Sequence, residues 1–197
     1  MPDPTTPATR VVIAEDEAII RLDLKELLEE EGYAVVGETG RGDEAIELVR
    51  DLRPDLVILD IKMPGLDGLS AARHVAGERM AAVLILTAYS QRELVEQARD
   101  AGALAYLVKP FQKSDLIPAI EIALGRFSEL AALEQEVGDL HDRLEARKVV
   151  DRAKGQLMDG AGLTEQAAWR FLQQQAMTNR VKIADIARRV VDGELTP

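Results

Sequence analysis

The sequence predicts an α/β fold built on a five-stranded parallel sheet, followed by a smaller all-helical region. Strand-like and helix-like segments alternate from residue 10 to about residue 125, which implies βαβ crossovers. The strand-like segments are continuous runs of Val, Ile and Leu, as expected for strands buried on both faces of a sheet. Beyond Gly125 the strand-like pattern ends and only helical periodicity remains.

The elements of the first region follow one another in a regular order. Predicted strands cover residues 11–14, 33–36, 56–59, 83–86 and 103–108, and predicted helices begin near residues 19, 43, 69, 92 and 114. Gly32 and Gly102 are expected to end the first and fourth helices, because glycine tolerates the left-handed conformation that closes a helix. Ser114 is expected to cap the fifth helix, with Pro118 in its first turn, where a missing N–H costs little.

An apolar heptad seam opens the second region. Its members recur at spacings of three and four residues: Leu130, Leu133, Val137, Leu140 and Leu144. This spacing predicts a helical linker or coiled coil over residues 126–147, although two heptads are marginal on their own. The seam could pair with a second copy of the chain or pack on the preceding domain.

Residues 148–193 are predicted to form a small domain of three helices. Gly160 and Gly162 interrupt the first helix, and Thr164 is a good N-cap for the second. Trp169 and Phe171 of the second helix could stack on nucleic-acid bases, but two aromatic residues on an alanine-rich helix more often belong to a core.

Composition limits the class of protein. The chain contains no cysteine, which excludes disulfides and thiolate metal sites. Residues 1–9 are polar and proline-rich; we expect them to be disordered, and they lack the pattern of a signal peptide. No apolar run approaches the roughly 20 residues that span a bilayer. We therefore expect a cytoplasmic protein with no membrane partner.

The net charge of −11 conceals an uneven distribution. Residues 1–125 carry 13 Lys/Arg against 23 Asp/Glu, whereas residues 143–192 carry 10 against 6. An acidic first part and a basic tail predict two separate functions.

Polar side chains follow the predicted strands at the point where each strand ends: Glu15 and Asp16, then Asp60, Thr87 and Lys109. The carboxyl ends of parallel strands share one edge of the sheet, where α/β proteins bind ligands. Three converging carboxylates repel one another unless a cation joins them, and hard oxygen ligands favour Mg²⁺. A carboxylate beside such a metal can accept a phosphoryl group. Each residue alone could be a cap or a surface charge; the joint pattern favours the functional interpretation.

This region resembles the receiver domains of two-component response regulators, which have a flavodoxin-like (βα)5 fold. The matching segments are Val-Ile-Ala-Glu-Asp-Glu at 12–17, the run from Asp55 to Gly68, Leu-Thr-Ala at 86–88 and Tyr-Leu-Val-Lys-Pro-Phe at 106–111. The receiver domain is expected to span residues 10–125. The resemblance implies that a sensor histidine kinase phosphorylates Asp60.

The same resemblance implies roles for the other strand-end residues. Mg²⁺ would be held by Glu15, Asp16 and Asp60, and the phosphoryl group would be sensed by Thr87 and Lys109. Tyr106 lies where the family keeps an aromatic residue that turns inward on activation; a structural tyrosine in a strand is the alternative. The first acidic position is Glu15 rather than Asp, which leaves direct and water-mediated metal contact both open.

The tail carries basic residues at helical spacing: Arg147, Lys148, Arg152, Lys154, Arg180, Lys182, Arg188 and Arg189. Such residues usually form a solvated face; their functional interpretation is attraction to nucleic-acid phosphates. A helix-turn-helix DNA reader also remains open, because the last two helices are short and adjacent.

Residues 148–192 resemble an ANTAR domain, an RNA-binding module of transcription antitermination regulators. The matching segments are Arg-Ala-Lys-Gly-Gln-Leu-Met at 152–158, Gly-Leu-Thr-Glu-Gln-Ala-Ala-Trp at 162–169 and Ile-Ala-Asp-Ile-Ala at 183–187. With the receiver-like region before it, this order resembles the PdtaR-type regulators of actinobacteria. The resemblance implies binding to RNA stem-loops of nascent transcripts, with Lys154 as a contact; the other basic residues follow from charge and spacing.

We therefore expect a response regulator that binds structured RNA and promotes antitermination. It would require Mg²⁺ and would have no enzymatic activity beyond its own phosphorylation and dephosphorylation. Phosphorylation could also drive homodimerisation. The alternatives are a phosphorylation-gated dimerisation or protein-interaction module and a DNA-binding transcription factor.

Overall fold

A computed structural model describes residues 8–88 and 92–196 of the 197-residue chain. Most of the N-terminal segment predicted to be disordered, residues 1–7, lies outside the described residues. Thr9 belongs to that predicted segment, but its carbonyl accepts a hydrogen bond from the backbone N–H of Ala34 at 2.9 Å. Thr9 is therefore held by a backbone hydrogen bond to the folded chain.

The predicted five-stranded parallel sheet is confirmed. Its strands are β1 (Arg10–Ala14), β2 (Ala34–Thr39), β3 (Leu56–Asp60), β4 (Ala82–Thr87) and β5 (Ala105–Val108). Their order across the sheet is β2-β1-β3-β4-β5, and every neighbouring pair is parallel. The chain direction across the sheet reverses between β1 and β3, which is the place where this topology opens a crevice.

Seven helices accompany the strands in the described chain. They are α1 (Ala18–Glu30), α2 (Gly42–Leu52), α3 (Gly68–Gly77), α4 (Arg92–Asp100), α5 (Lys113–Ala161), α6 (Glu165–Asn179) and α7 (Ile183–Val191). None of the helices in this part of the chain is both long and apolar enough to cross a membrane.

Both faces of the sheet are covered, as the continuous apolar strands predict. Alternate strand residues such as Val12 and Leu59 join one core with α2, α3 and α4. Their neighbours, such as Ile13 and Ile58, join a second core with α1 and the first turns of α5. The period of two along a strand sends successive side chains to opposite faces, so β1, β3 and β4 each contribute buried residues to both cores.

Two predictions for the start of α5 are wrong. Ser114 is the second residue of the helix rather than its cap, and Pro118 lies beyond the first turn. The side chain of Asp115 accepts the backbone N–H of Gln112 at 3.0 Å. This acceptor satisfies a donor at the helix end without Ser114, so the helix begins two residues earlier than a Ser114 cap implies.

The heptad seam lies on α5, which continues without a break through residues 126–147. All five seam residues are exposed, with exposed fractions between 47% for Leu130 and 65% for Val137. The helical prediction for the linker is therefore confirmed, and all five positions of its apolar stripe are exposed among the described residues.

The last turns of α5 pack with α6 and α7 around a separate core that includes Ala153, Leu172 and Ile186. Thr164 caps α6 as predicted, because its hydroxyl oxygen accepts the N–H of Ala167 at 3.3 Å. Phe171 packs against this core. Trp169, on the same helix, keeps 42% of its surface exposed.

Candidate functional site

The predicted strand-end residues meet at the carboxyl edge of the sheet. Glu15 and Asp16 follow β1, Asp60 ends β3 and Thr87 ends β4. Carboxylate oxygens of Glu15, Asp16 and Asp60 all lie within 4.8 Å of one another. Glu15 and Asp60 are buried, whereas Asp16 is exposed. The cluster therefore has two fixed carboxylates beneath one that faces solvent.

Lys109 supplies the positive charge that this buried pair requires. Its ammonium lies 2.9 Å from Oδ1 of Asp60 and also donates to Oε2 of Glu15. Burial raises the pKa of Glu15, and the charge of Asp60 adds to the rise, while Lys109 opposes it. Burial alone would lower the pKa of Lys109, but its bonds to Glu15 and Asp60 outweigh this and raise the pKa. Lys109 thus stays protonated and fixes the distance between the two carboxylates.

The second oxygen of Asp60 is held by the loop between β3 and α3. The backbone N–H of Lys62 donates to Oδ2 of Asp60 at 3.1 Å. Asp67 caps α3 by accepting the N–H of Ser70 at 2.9 Å. Gly68, the first residue of α3, packs directly on the Asp60 carbonyl: a Cβ here would lie 1.9 Å from that oxygen. Only glycine fits, because no side-chain carbon approaches a backbone oxygen that closely.

Thr87 and Tyr106 differ in exposure. Thr87 is buried, and its carbonyl accepts the backbone N–H of Lys109 at 2.7 Å, which ties the ends of β4 and β5 together. Tyr106 lies on β5 opposite Ile85 and is 46% exposed. Its ring faces outward in this structure, so an inward turn on activation stays a prediction.

Sequence reasoning missed two contributions to the site. The guanidinium of Arg21 on α1 donates to the carbonyl of Glu15. The carbonyl of Thr39, at the end of β2, accepts the backbone N–H of Glu15 at 3.0 Å. Its hydroxyl donates to Glu44 at 2.6 Å and accepts the N–H of Arg41 at 3.1 Å. Neither residue had a signal in the sequence. The second strand was predicted to end at residue 36, three residues before Thr39, and the contact of Arg21 depends on how α1 packs.

The predicted basic residues of the tail fall into two groups. Ion pairs join Arg147 to Asp151, Lys148 to Glu145, Lys154 to Asp151 and Glu165, Arg188 to Asp185, and Arg189 to Glu194. Arg152, Arg180 and Lys182 form no ion pair with any residue that the structure describes. Lys154, the contact that the ANTAR resemblance implies, is the most enclosed of these basic residues, with 19% of its side chain exposed and both partners within 3.0 Å.

Comparison with protein families gives two matches along the chain. Residues 11–121 match the response regulator receiver domain, and residues 138–191 match the ANTAR domain. The chain is also 55% identical over 202 aligned residues to the transcriptional regulatory protein PdtaR of Mycobacterium tuberculosis, covering 100% of this chain and 98% of that one.

The chain belongs to the receiver–ANTAR response regulators of the PdtaR type. Its first region has relatives of its own. This region is 38% identical to the chemotaxis protein CheY of Thermotoga maritima over 56% of this chain and 93% of CheY. It also resembles the receiver domain of the putative response regulator NarL of M. tuberculosis, with 30% identity, a TM-score of 0.58, and coverage of 61% of this chain and 98% of that one.

Membership of this family accounts for the cluster of acidic residues at the edge of the sheet. Receiver domains bind Mg²⁺ at an acidic pocket of this kind, and this response regulator offers three oxygen ligands there. The donor set fits: carboxylates are the hard ligands that Mg²⁺ prefers, and two of them are already held in place.

Proposed function

We propose that this response regulator is phosphorylated on Asp60 by a sensor histidine kinase and that the phosphorylated form binds RNA stem-loops to promote transcription antitermination. The observation that carries the first half is the junction of Glu15, Asp16 and Asp60 with Lys109 at one edge of the sheet. The second half rests on the ANTAR match and on the basic surface of the C-terminal helices.

The phosphoryl transfer is a displacement at phosphorus. One carboxylate oxygen of Asp60 attacks the phosphohistidine, the P–N bond breaks, and the imidazole leaves with the electron pair and a proton from solvent. Mg²⁺ held by Glu15, Asp16 and Asp60 would offset the negative charge that develops. The remaining residues of the site hold the reacting groups in position and neutralise the developing negative charge. These two effects are most of what catalysis of this reaction requires.

Lys109 and Thr87 are the proposed sensors of the new charge. The ammonium of Lys109 already contacts both buried carboxylates, and it can exchange one for a phosphoryl oxygen. The Thr87 hydroxyl would donate a second hydrogen bond. Because the N–H of Lys109 donates to the carbonyl of Thr87, a shift of either residue acts on both strands, and Tyr106 two residues before the end of β5 is placed to respond.

A homodimer is the proposed route from receiver to output. The heptad seam of α5 presents a continuous apolar stripe, at least 47% exposed at each position. An a/d stripe of this kind is covered by the same stripe of a second copy in a coiled coil. This observation also favours the second candidate function, a phosphorylation-gated dimerisation module without an RNA role.

Two experiments separate these functions. Radiolabelled acetyl phosphate with Mg²⁺ is expected to label the wild-type chain and not Asp60→Asn. Asp67→Asn, which replaces another carboxylate near the same loop, is the control and should still be labelled. Undiminished label in Asp60→Asn would contradict the phosphoacceptor assignment.

The second experiment measures binding of the phosphorylated chain to hairpin RNA and to duplex DNA between 50 and 200 mM salt. We expect a preference for the hairpin and an affinity that falls steeply as salt rises. Dimerisation without binding to either nucleic acid would favour the second candidate, and a preference for duplex DNA would favour a transcription factor.

A further inference from the structure

The exposed face of α6 combines three features that the sequence did not connect. It consists of Gln166, Trp169, Arg170, Gln173, Met177 and Arg180, which recur at helical spacing. We call this surface the α6 face. Its residues are all exposed, whereas Ala168, Leu172 and Ala176 of the same helix are buried in the core.

The first feature is exposed apolar surface. Trp169 is 42% exposed and Met177 is 74% exposed, although both lie one residue from a buried position of α6. Burying an aromatic ring in the core would have been the favourable solution for a residue of purely structural use. Phe171 shows that solution two residues away, since it packs against the core.

The second feature is unpaired positive charge. Arg170 and Arg180 form no ion pair with any described residue, in contrast to Lys154 and Arg188. Glu165 is the one acidic residue in the sequence of α6, and it is occupied by Lys154 at 2.9 Å. The α6 face therefore carries cations with no anion of its own helix to neutralise them.

The third feature is a set of side-chain amides. Gln166 and Gln173 flank Trp169 on the exposed side. An amide group both donates and accepts, so it can bond the edge of an unpaired base. Arginine contacts phosphate, and an aromatic ring stacks on a base of any sequence.

We propose that the α6 face is the surface that binds the unpaired bases of the RNA loop, with Trp169 stacking on a base and Arg170 and Arg180 contacting the flanking phosphates. This inference rests on the proposed RNA function and deepens it. An apolar surface of a protein partner could cover Trp169 and Met177, but it would leave the charges of both arginines without a partner. Single-stranded RNA offers a base for the ring, base edges for the amides and phosphates for the arginines.

The basic residues predicted from spacing then divide by role. Arg180 belongs to the loop-binding surface, and so does Arg170, which charge and spacing alone did not single out. Lys154 lies against Asp151 and Glu165 and holds α5 to the start of α6. It is a positioning residue for the α6 face rather than a contact of the loop.

Trp169 also provides the test, because it is the only tryptophan of the chain. The full-length protein with acetyl phosphate and Mg²⁺ is titrated with hairpin RNAs that carry loops of four to eight unpaired nucleotides. Tryptophan fluorescence should be quenched with the same midpoint as the anisotropy of the labelled RNA. Trp169→Ala should weaken binding roughly 5- to 150-fold, the range for loss of one stacked base, and Trp169→Phe should recover most of it.

Met158→Ala is the matched control, since Met158 is 39% exposed on α5 and lies outside the α6 face. It should bind as the wild type does. The proposal is overturned, and RNA binding retained, if the hairpin binds with unchanged tryptophan fluorescence and Trp169→Ala binds normally, or if Met158→Ala loses as much affinity. If tryptophan fluorescence is quenched as the protein concentration rises in the absence of RNA, the α6 face contacts a second copy of the chain, and the proposal is overturned as well. No binding of any hairpin by the wild type would remove this proposal and the proposed function together.

Discussion

Substitution of Gly68 by alanine should disable the phosphorylation site without touching any charged residue. A Cβ at this position would lie 1.9 Å from the carbonyl oxygen of Asp60, 2.8 Å from its carbonyl carbon and 3.1 Å from the Cα of Ile61. All three atoms are backbone, so no side-chain rotation can relieve the contact. The start of α3 must move away from β3 by about 1 Å or more to restore normal contact distances.

The expected cost follows from that displacement. Forcing an additional methyl group into a packed site costs about 1 to 3 kcal/mol. For a unit of this size, each kcal/mol lowers the melting temperature by about 4 °C, so we expect a loss of about 4 to 12 °C. The hydrogen bond from the Lys62 N–H to Asp60 lies in the same loop, and the phosphorylation rate should fall with it because positioning is the main source of catalysis here.

Gly125→Ala is the matched control. Gly125 lies inside α5, and a Cβ there meets no atom within 4 Å. Alanine should stabilise the helix by about 0.5 to 1 kcal/mol and leave phosphorylation unchanged. Calorimetry of both variants, with acetyl-phosphate labelling in parallel, makes the comparison. A Gly68→Ala chain with wild-type melting temperature and labelling would refute the packing argument.

Three further predictions concern the cap, the seam and the tail. Asp67→Ala should cost about 1 kcal/mol through loss of the α3 cap, and Asp67→Asn much less. Burial opposes ionisation of Asp67, but the Ser70 bonds lower its pKa below 3.8. The ionised cap is therefore present above about pH 4 and lost as pH falls further, so urea unfolding across pH should show the wild type losing its advantage over Asp67→Asn in acid. Val137→Asp on the exposed seam should abolish phosphorylation-dependent dimers in analytical ultracentrifugation; persistent dimers would exclude the seam. Glu165→Gln removes one of the two ion pairs by which Lys154 holds α5 to the start of α6, so RNA binding measured by anisotropy should weaken about two- to fivefold, the range for a partly exposed ion pair; stronger binding would make Lys154 a direct RNA contact and contradict its positioning role.

The sheet and its site edge were predictable because their signals are local. Each strand is an apolar run in its own right, and four of the five predicted runs are followed by a polar residue, so parallel pairing alone brings Asp60 and Lys109 together. The heptad seam and the Thr164 cap are equally local, and the structure has both.

The features that could not be predicted depend on packing between distant segments. The contact of Arg21 with Glu15 and the fit of Gly68 on Asp60 exist only once a helix lies against its strand. The start of α5 was misplaced because Ser114 and Asp115 are both good capping residues, and the sequence alone does not say which one is used. The sequence likewise did not say which of the two aromatic residues of α6 belongs to the core. In the structure Phe171 packs against the core and Trp169 is 42% exposed.

The central claim is that charge at Asp60 controls RNA binding by the C-terminal helices. It is tested most directly by the hairpin affinity of the full-length chain with and without beryllofluoride and Mg²⁺, measured in parallel for the wild type and Asp60→Asn. We expect treatment to strengthen binding by the wild type at least several-fold and to leave Asp60→Asn unchanged. Equal affinities of the treated and untreated wild type would contradict the claim, as would an equal gain in Asp60→Asn.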